Sequence, residues 1–550
     1  MPAPDLSTAA ALEQVALHAP ETPSVQYGGA TTCARDLVAQ ARALAGALAA
    51  GGTAPGDRVA HVGRNSPSLL LTVLACAYLR AIAVPLGFRA SATELAATLD
   101  HCAPRVVVAE PAHVAAVRDW AARGPATAVL VQVDDDPLAG APVAATAWRA
   151  WSDLLASGAA RSGVGAPRSG VGAPRSGVGA PRSGVGAPRS GVGAHADDPA
   201  LLLYTSGSSG SPKGVLLTHA NLWWSAVGGD VAFGTGRGGT TLAVAPMSHI
   251  GGLNGLVLRT LGTGGTVVVR RAFDADAVLE DVPRHGVTSL FGVPAMYAAI
   301  ARAPGFDHAD LRSLQTALVG GAPLGRPLLD RFGARGVALQ QSWGMTETAP
   351  ACTSVPRDQV AEHGTTVGHP LAFVRLRLVD ARGTEVVDPG VPGELWVSGP
   401  QVTPGYWRDP EATARAFGAP GWLRTGDVAV RDAAGRYRVC GRIGDVINTG
   451  GEKVHPAEVE SALEGCPGVD ACAVAGRPDD VWGQAVTAVV VATPGRAPTL
   501  ERLRDHAART LGRHKLPRHL VLVDALPRNA NGKLDRARVR ARVAAAGAPV

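Results

Sequence analysis

Residues 201–218 run Leu-Leu-Leu-Tyr-Thr-Ser-Gly-Ser-Ser-Gly-Ser-Pro-Lys-Gly-Val-Leu-Leu-Thr. Two short apolar runs, 201–204 and 215–218, enclose a loop of glycines and hydroxyls. Runs this short, bounded by Gly and Ser, predict buried strands rather than helices. Backbone N–H groups in such a loop can converge on a phosphate, and Lys213 adds a point charge. It is not a Walker A loop: Pro212 stands where that pattern needs glycine, and Gly214 where it needs Ser or Thr. Taken alone, the stretch also fits a solvated surface loop.

Outward from this hairpin the pattern repeats. Strand-like runs occupy 241–245, 266–269, 287–291 and 316–320, with helical patterns at 275–284 and 294–301 between them. Residues 31–125 alternate in the same way. Strands alternating with helices predict an α/β fold built on parallel sheets. Beyond residue 365 the runs 374–380 and 394–399, separated by Gly/Pro turns, predict a small β-rich subdomain. From Gly441 a helix, two strands, a helix and a strand predict an α+β unit of about 110 residues. The expected division is therefore 1–441 and 442–550.

Length and composition bound the rest. A chain of 550 residues with 46% hydrophobic and 18% charged residues can bury large cores. The net charge of +6 is local. Residues 161–194 repeat Arg-Ser-Gly-Val-Gly-Ala-Pro four times and then once without the proline, which brings five arginines and no acid. Without them the balance falls to +1, so no polyanion-binding surface and no nucleic-acid partner is implied. One valine per seven residues cannot make a coiled coil, which needs two apolar positions. The repeat is expected to be a flexible surface insertion.

The seven cysteines are odd in number and lack CxxC spacing, against a disulfide framework or zinc site. No charged segment followed by an apolar run opens the chain, and no 18-residue apolar stretch suggests a membrane span. Residues 68–79 are too short for one and predict a buried helix. A soluble, cytoplasmic protein is expected.

Four further motifs carry chemistry. Gln341-Ser-Trp-Gly-Met-Thr-Glu347 sets a hydroxyl beside a carboxylate, and Glu347 suits the hard-oxygen preference of Mg²⁺. Trp422-Leu-Arg-Thr-Gly-Asp427 ends in a carboxylate that can accept both hydroxyls of a ribose, or serve as a turn residue. Gly441-Arg-Ile-Gly-Asp-Val-Ile-Asn-Thr-Gly-Gly-Glu-Lys-Val-His-Pro456 and Leu526-Pro-Arg-Asn-Ala-Asn-Gly-Lys-Leu-Asp535 complete the set.

In this order the five motifs resemble the adenylate-forming superfamily of acyl-CoA synthetases, peptide-synthetase adenylation domains and firefly luciferase. The resemblance covers nearly the whole chain outside 161–194. It implies a large N-terminal domain of layered α/β sheets with a small β-rich part, followed by a mobile α+β C-terminal domain hinged near residue 441.

The resemblance also implies roles. Thr205, Ser206, Gly207, Ser208, Ser209, Gly210 and Lys213 match the loop that holds the ATP β- and γ-phosphates. Gly320, Gly321, Ala322 and Pro323 match the segment along the adenine, and Trp343 the aromatic that stacks on it. Gly344 and Thr346 fall in the α-phosphate segment and Glu347 matches the Mg²⁺ ligand. Asp427 matches the ribose ligand, Arg442 the arginine that meets ribose or phosphate, and Lys533 the mobile lysine that bridges the carboxylate and the α-phosphate. The family often has Asp or Lys where this chain has Gly444, two residues after the hinge arginine.

These residue types fit the chemistry of activating a carboxylate with ATP. An anion must attack an anionic phosphate, so fixed cations and N–H donors lower the barrier. A thiol then displaces AMP. Gly450 and Gly451 resemble the glycines that let a pantetheine arm pass, Trp482 an aromatic that stacks on CoA, and Lys515 and Arg518 partners for its phosphates. A core tryptophan and plain surface charge are the alternatives.

Amino-acid-activating members carry an Asp in the stretch matching residues 245–254. Here that stretch holds no acid. The form resembles acyl- and aryl-CoA synthetases, in which His249 gates the carboxylate end of an apolar pocket. Ile250, Gly251, Phe291, Pro294, Ala317 and Met345 are the expected lining. The expected reactants are ATP with Mg²⁺, an aliphatic or aryl carboxylic acid, and CoA. A carrier-protein phosphopantetheine arm is the alternative acceptor. A light-emitting oxygenase has no support in these residues, and a non-enzymatic nucleotide binder would lack Lys533 or Glu347.

Overall fold

A computed structural model of the chain describes residues 4–123, 128–143, 148–162, 193–205, 213–233, 238–450, 452–479, 481–528 and 534–546. The chain forms two compact units. The first comprises Met1–Trp223, Gly236–Ala272 and Tyr406–Arg408, and the second Trp224–Thr235, Phe273–Gly405 and Asp409–Val550.

In the first unit the strands Lys213–Thr218, Pro199–Thr205, Ile82–Gly87, Arg58–Gly63, Val106–Ala109, Val129–Gln132 and Arg149–Ala150 lie side by side in that order. All pairs but the first are parallel. Their apolar runs are continuous because helices cover both faces. One cover is Pro67–Leu79, capped by Ser66, whose side chain accepts from Leu69 N–H; ten of its thirteen residues are buried. A helix apolar all round belongs inside a core. Among the described residues no helix is long and apolar enough to cross a membrane. A second set in the same unit pairs Thr240–Ala243 and Thr266–Val269 in parallel, then Pro23–Tyr27, with Ala30–Cys33 antiparallel at its edge.

The second unit holds further groups of paired strands. Ser289–Gly292, Thr316–Gly320 and Leu339–Ser342 are parallel neighbours. Arg375–Val379, Gly393–Ser398, Trp422–Arg431, Phe417–Ala419 and Tyr437–Arg442 form the expected β-rich part, antiparallel throughout. Glu452–Val454, Ile447–Thr449, Gly483–Ala492, Val469–Asp479 and His519–Val523 form another five-stranded sheet. The helices Pro456–Leu463 and Leu500–Ala507 close its core around Val459, Leu463, Val486 and Leu503. The fold is the layered α/β architecture with a C-terminal α+β part that the sequence predicts.

The repeat falls largely outside the described residues. Its edges are narrower than 161–194: the helix Trp151–Ser162 runs into the first repeat, and Ala194 is buried.

Candidate functional site

In the first unit, Thr205 and Lys213 are register partners across the antiparallel pair Pro199–Thr205 and Lys213–Thr218. The predicted phosphate loop therefore leaves and re-enters the sheet at one point. Ser206, Gly207, Ser208, Ser209 and Gly210 lie outside the described residues. The base of the hairpin is braced. Tyr204 Oη meets His101 Nδ1 at 2.8 Å, and burial pushes the Tyr204 hydroxyl pKa up. Trp407 N–H donates to Gly214 C=O at 2.7 Å, and the Tyr406 ring lies 5.3 Å from Lys213 Nζ. Tyr406 and Trp407 escape the sequence reading. Their only signal is two adjacent aromatics in a chain with 4% aromatic residues.

His249 precedes the short helix Ile250–Asn254 and occupies its N-cap position. Its N–H donates to Pro246 C=O at 3.1 Å. His249 is half-buried, Ile250 is buried, and Gly251 is partly exposed.

In the second unit the candidate residues gather at the C-terminal ends of three parallel strands, where open α/β sheets bind ligands. Phe291 lies on Ser289–Gly292, and a Cβ on Gly320 would come within 3.3 Å of its ring. Gly321, Ala322 and Pro323 are exposed just beyond Thr316–Gly320. Ala317 is only 1% exposed, so it backs the wall rather than presenting a surface.

The strand Leu339–Ser342 leads into Trp343, Gly344 and Met345 and then the single turn Thr346–Thr348. Thr348 Oγ1 accepts Met345 N–H at 3.0 Å and lies within reach of the Met345 and Pro350 carbonyls, which share its single proton, and this fixes the turn. Thr403 N–H donates to Glu347 C=O at 2.8 Å, and Glu347 is buried. Among the described residues no group of three or more His, Cys, Asp or Glu could hold a metal. One hard carboxylate fits a Mg²⁺ ion whose other ligands are phosphate oxygens and water, not a protein cage.

Asp427 and Arg442 are register partners on Trp422–Arg431 and Tyr437–Arg442. Arg442 Nε pairs with Asp427 Oδ1 at 2.6 Å, and Trp343 Nε1–H donates to Oδ2 at 2.9 Å. Arg442 also donates to Thr425 C=O at 3.0 Å, and Asp427 N–H to Thr425 Oγ1 at 3.0 Å. A carboxylate held from two sides keeps further acceptor directions, since its oxygens offer about four sites. The Trp343 ring sits among Cys352, Val367, Leu378 and Leu395 and is 8% exposed, so little of its face is open for stacking. Its polar edge is committed to Asp427.

Farther along the second unit, Gly450 has φ +60° and donates to Trp482 C=O at 2.8 Å. A Cβ there would lie 2.6 Å from the Trp482 ring, so only glycine fits. The Arg518 guanidinium lies 3.9 Å from the centre of the same ring. Trp482 remains 40% exposed. Lys515 is paired with Glu458 at 2.6 Å. The structure thus brings Gly450, Trp482 and Arg518 together and engages Lys515 elsewhere. Gly451 and Lys533 lie outside the described residues.

The family model for AMP-binding enzymes matches residues 12–407, and that for the AMP-binding enzyme C-terminal domain matches 458–533. The chain belongs to the AMP-binding enzyme family. It is an adenylate-forming acid–thiol ligase, the class that the five motifs predict. Among curated members, a feruloyl-CoA synthase from Amycolatopsis is 38% identical, with 95% of this chain and 96% of the relative covered. An indoleacetate–CoA ligase from Aromatoleum aromaticum is 34% identical over 91% of each. A fatty acid–[acyl-carrier-protein] ligase from Streptomyces coeruleorubidus is 31% identical over 96% of this chain and 94% of its own. The solved o-succinylbenzoate CoA synthetase from Bacillus subtilis, in complex with its acyl-adenylate intermediate, superposes with a TM-score of 0.79. It is 27% identical, and 96% of this chain and 97% of that one are covered.

Proposed function

We propose that this AMP-binding enzyme activates an aryl carboxylic acid and passes the acyl group to CoA. The observation that carries the acid class is the acid-free segment 245–254 around His249, which offers no partner for a substrate ammonium. Phe291, half-buried on Ser289–Gly292, supplies apolar surface suited to a ring. The named relatives that act on feruloyl and indoleacetate groups support the same class.

In the first half-reaction a carboxylate oxygen attacks the α-phosphorus of ATP. The bond to the β-phosphate bridging oxygen breaks, and pyrophosphate leaves. Lys213 and the loop 206–212 hold the β- and γ-phosphates, and Asp427, oriented by Arg442, holds the ribose. Thr346 and Lys533 meet the α-phosphate. Glu347 would hold Mg²⁺, which would supply charge neutralisation at the phosphates. In the second half-reaction the CoA sulfur, after losing its proton to solvent, attacks the acyl carbon, and the acyl C–O bond to AMP breaks. Gly450 and Gly451 admit the pantetheine arm, and Trp482 with Arg518 receives the adenine end.

The boundary near residue 441 falls between the two matched family segments, which supports separate bodies for the two steps. Seven unpaired cysteines and a need for ATP and CoA fit the reducing cytoplasm. A panel of aryl and aliphatic acids, scored by pyrophosphate release and by acyl-CoA formation, tests the reading. Turnover of aryl acids only with CoA present is the expected result. Fatty acids outpacing every aryl acid would overturn the substrate class. The carrier-protein ligase among the relatives favours one second reading, transfer to a phosphopantetheine arm. It predicts faster acylation of a holo-carrier protein than of free CoA.

A further inference from the structure

Asn65 lies just past the end of the strand Arg58–Gly63 and is 3% exposed. Its amide nitrogen donates to Ala245 C=O at 2.9 Å and to Arg270 C=O at 3.1 Å. Its Oδ1 accepts Met247 N–H at 2.7 Å. Both amide protons and the oxygen thus serve one task. They bind the ends of Thr240–Ala243 and Thr266–Val269, which lie some 180 and 205 residues away in the chain.

The segment held in this way, 245–248, leads directly into His249. Further contacts seat it. Met247 is fully buried, and Ser248 Oγ would lie 3.6 Å from a Cβ on Gly87, at the end of the neighbouring strand. The Pro246 carbonyl is met by His249 N–H at 3.1 Å. A Cβ on Gly252 would lie 2.2 Å from that same oxygen, so the helix bearing Gly252 presses against the loop. A segment clamped at Ala245 and Met247 and packed against Gly252 moves only as a whole. The backbone that carries His249 is anchored two residues away, at Met247.

We infer that Asn65 is a positioning residue: its side-chain amide fixes the 245–248 segment so that His249 stands at the carboxylate end of the acyl site. This inference rests on the proposed role of His249. No other side chain of this size offers two donors and an acceptor from one planar group. Aspartate keeps the acceptor for Met247 but turns a carboxylate oxygen toward two carbonyls. Alanine removes all three bonds.

The test is a double-mutant cycle on the full enzyme, with Asn65→Ala, Asn65→Asp, His249→Ala and both Asn65 changes combined with His249→Ala. Pyrophosphate exchange is measured while acid and ATP are varied separately, and thermal unfolding is followed alongside. Misplacement of a reacting contact by about 1 Å costs up to about a hundredfold, so each Asn65 variant should raise the acid KM about tenfold. The KM for ATP should stay within about twofold. In the His249→Ala background, the same Asn65 changes should add less than about twofold, because the residue they act through is gone. Asn65→Asp keeps the volume, so it reports on the arrangement if Asn65→Ala fails to fold. Three results overturn the inference. One is an acid KM unchanged in Asn65→Asp. Another is a full additive loss in the His249→Ala background, which marks a merely structural amide. The third is an acid KM unaffected by His249→Ala itself, which removes the role of His249 and with it the route from Asn65.

Discussion

The indole N–H of Trp343 reaches Oδ2 of Asp427 at 2.9 Å, across 84 residues of chain. With Arg442 on the other oxygen, the carboxylate is held in one orientation. Trp343→Phe keeps an aromatic ring beside Val367 and Leu395 and removes the donor together with part of the ring volume. A hydrogen bond to a charged group contributes about 1.5–3 kcal/mol, roughly 10- to 150-fold. Because Arg442 remains, Trp343→Phe should raise the KM for ATP about tenfold, and Asp427→Ala by more, with the acid KM unchanged in both. Pyrophosphate exchange with ATP and with 2′-deoxy-ATP separates the effects. Asp427→Ala should lose discrimination between the two nucleotides, and Trp343→Phe should keep part of it. An unchanged ATP KM in Asp427→Ala would remove Asp427 from the nucleotide site.

What the sequence discloses and what it hides divide along physical lines. Pro199–Thr205, Thr240–Ala243 and Thr316–Gly320 are legible because strands covered on both faces become unbroken apolar runs ended by Gly, Ser or Pro. The register of Thr205 with Lys213 follows from two such runs joined by a short loop. Asn65 is not legible. Asn-Ser-Pro reads as a turn and a helix cap, which Ser66 and Pro67 do form, and nothing local points to Ala245 or Arg270. The Trp343–Asp427 bond and the Lys515–Glu458 pair are hidden for the same reason. Each residue shows its type in sequence, whereas its partner is chosen by tertiary packing.

The repeat should be dispensable within narrower limits than its sequence suggests. Ser162 ends a helix and Ala194 is 2% exposed, so both belong to the folded body. Deleting 163–192 should leave the thermal midpoint and turnover near those of the full chain. Deleting 161–194 should lower the midpoint by a few degrees, as loss of a buried small side chain and a helix end does. Equal midpoints for the two deletions would show that these edges contribute nothing.

Acid should weaken the first unit. His61 is fully buried against Ser68, at 3.0 Å, and burial together with His113 and Arg271 pushes its pKa down to about 3. His219, also buried, is pushed down to about 4. In the unfolded chain both titrate near 6.5. Between these limits the unfolded state binds protons that the folded state does not, so stability falls as pH drops below about 6.5. Above that pH the contribution is constant. Each such group costs about 1.4 kcal/mol per pH unit across the window. His61→Gln, which cannot take up the proton, should flatten the decline by one proton's worth in urea midpoints measured from pH 7 to 4.5. A slope identical to that of the parent chain would show that His61 is protonated in the fold.

The hinge should separate the two half-reactions. Arg442 is tied to Asp427 and Thr425, whereas Asp445 is tied to Arg536 and Arg540 on the last helix, Arg536–Ala545. Only Ile443 and Gly444 stand between these anchors, both exposed, and nothing lies within 4 Å of where a Cβ on Gly444 would be. A pivot there would leave the proposed ribose contact in place while the C-terminal sheet turned. Lys533, in the segment before that last helix, would then reach the α-phosphate in one arrangement and leave it in the other, where the Gly450 face meets the thiol. Lys533→Ala should lower acid-dependent pyrophosphate exchange at least about a hundredfold, the scale for losing a charge fixed at a developing oxyanion. Thioester formation from synthetic acyl-AMP and CoA should stay within about threefold of the parent enzyme. A solvated lysine near the terminus would move neither rate. Equal losses in both assays would mean that Lys533 serves both steps or supports the fold, and the alternation of the C-terminal domain would have to be abandoned.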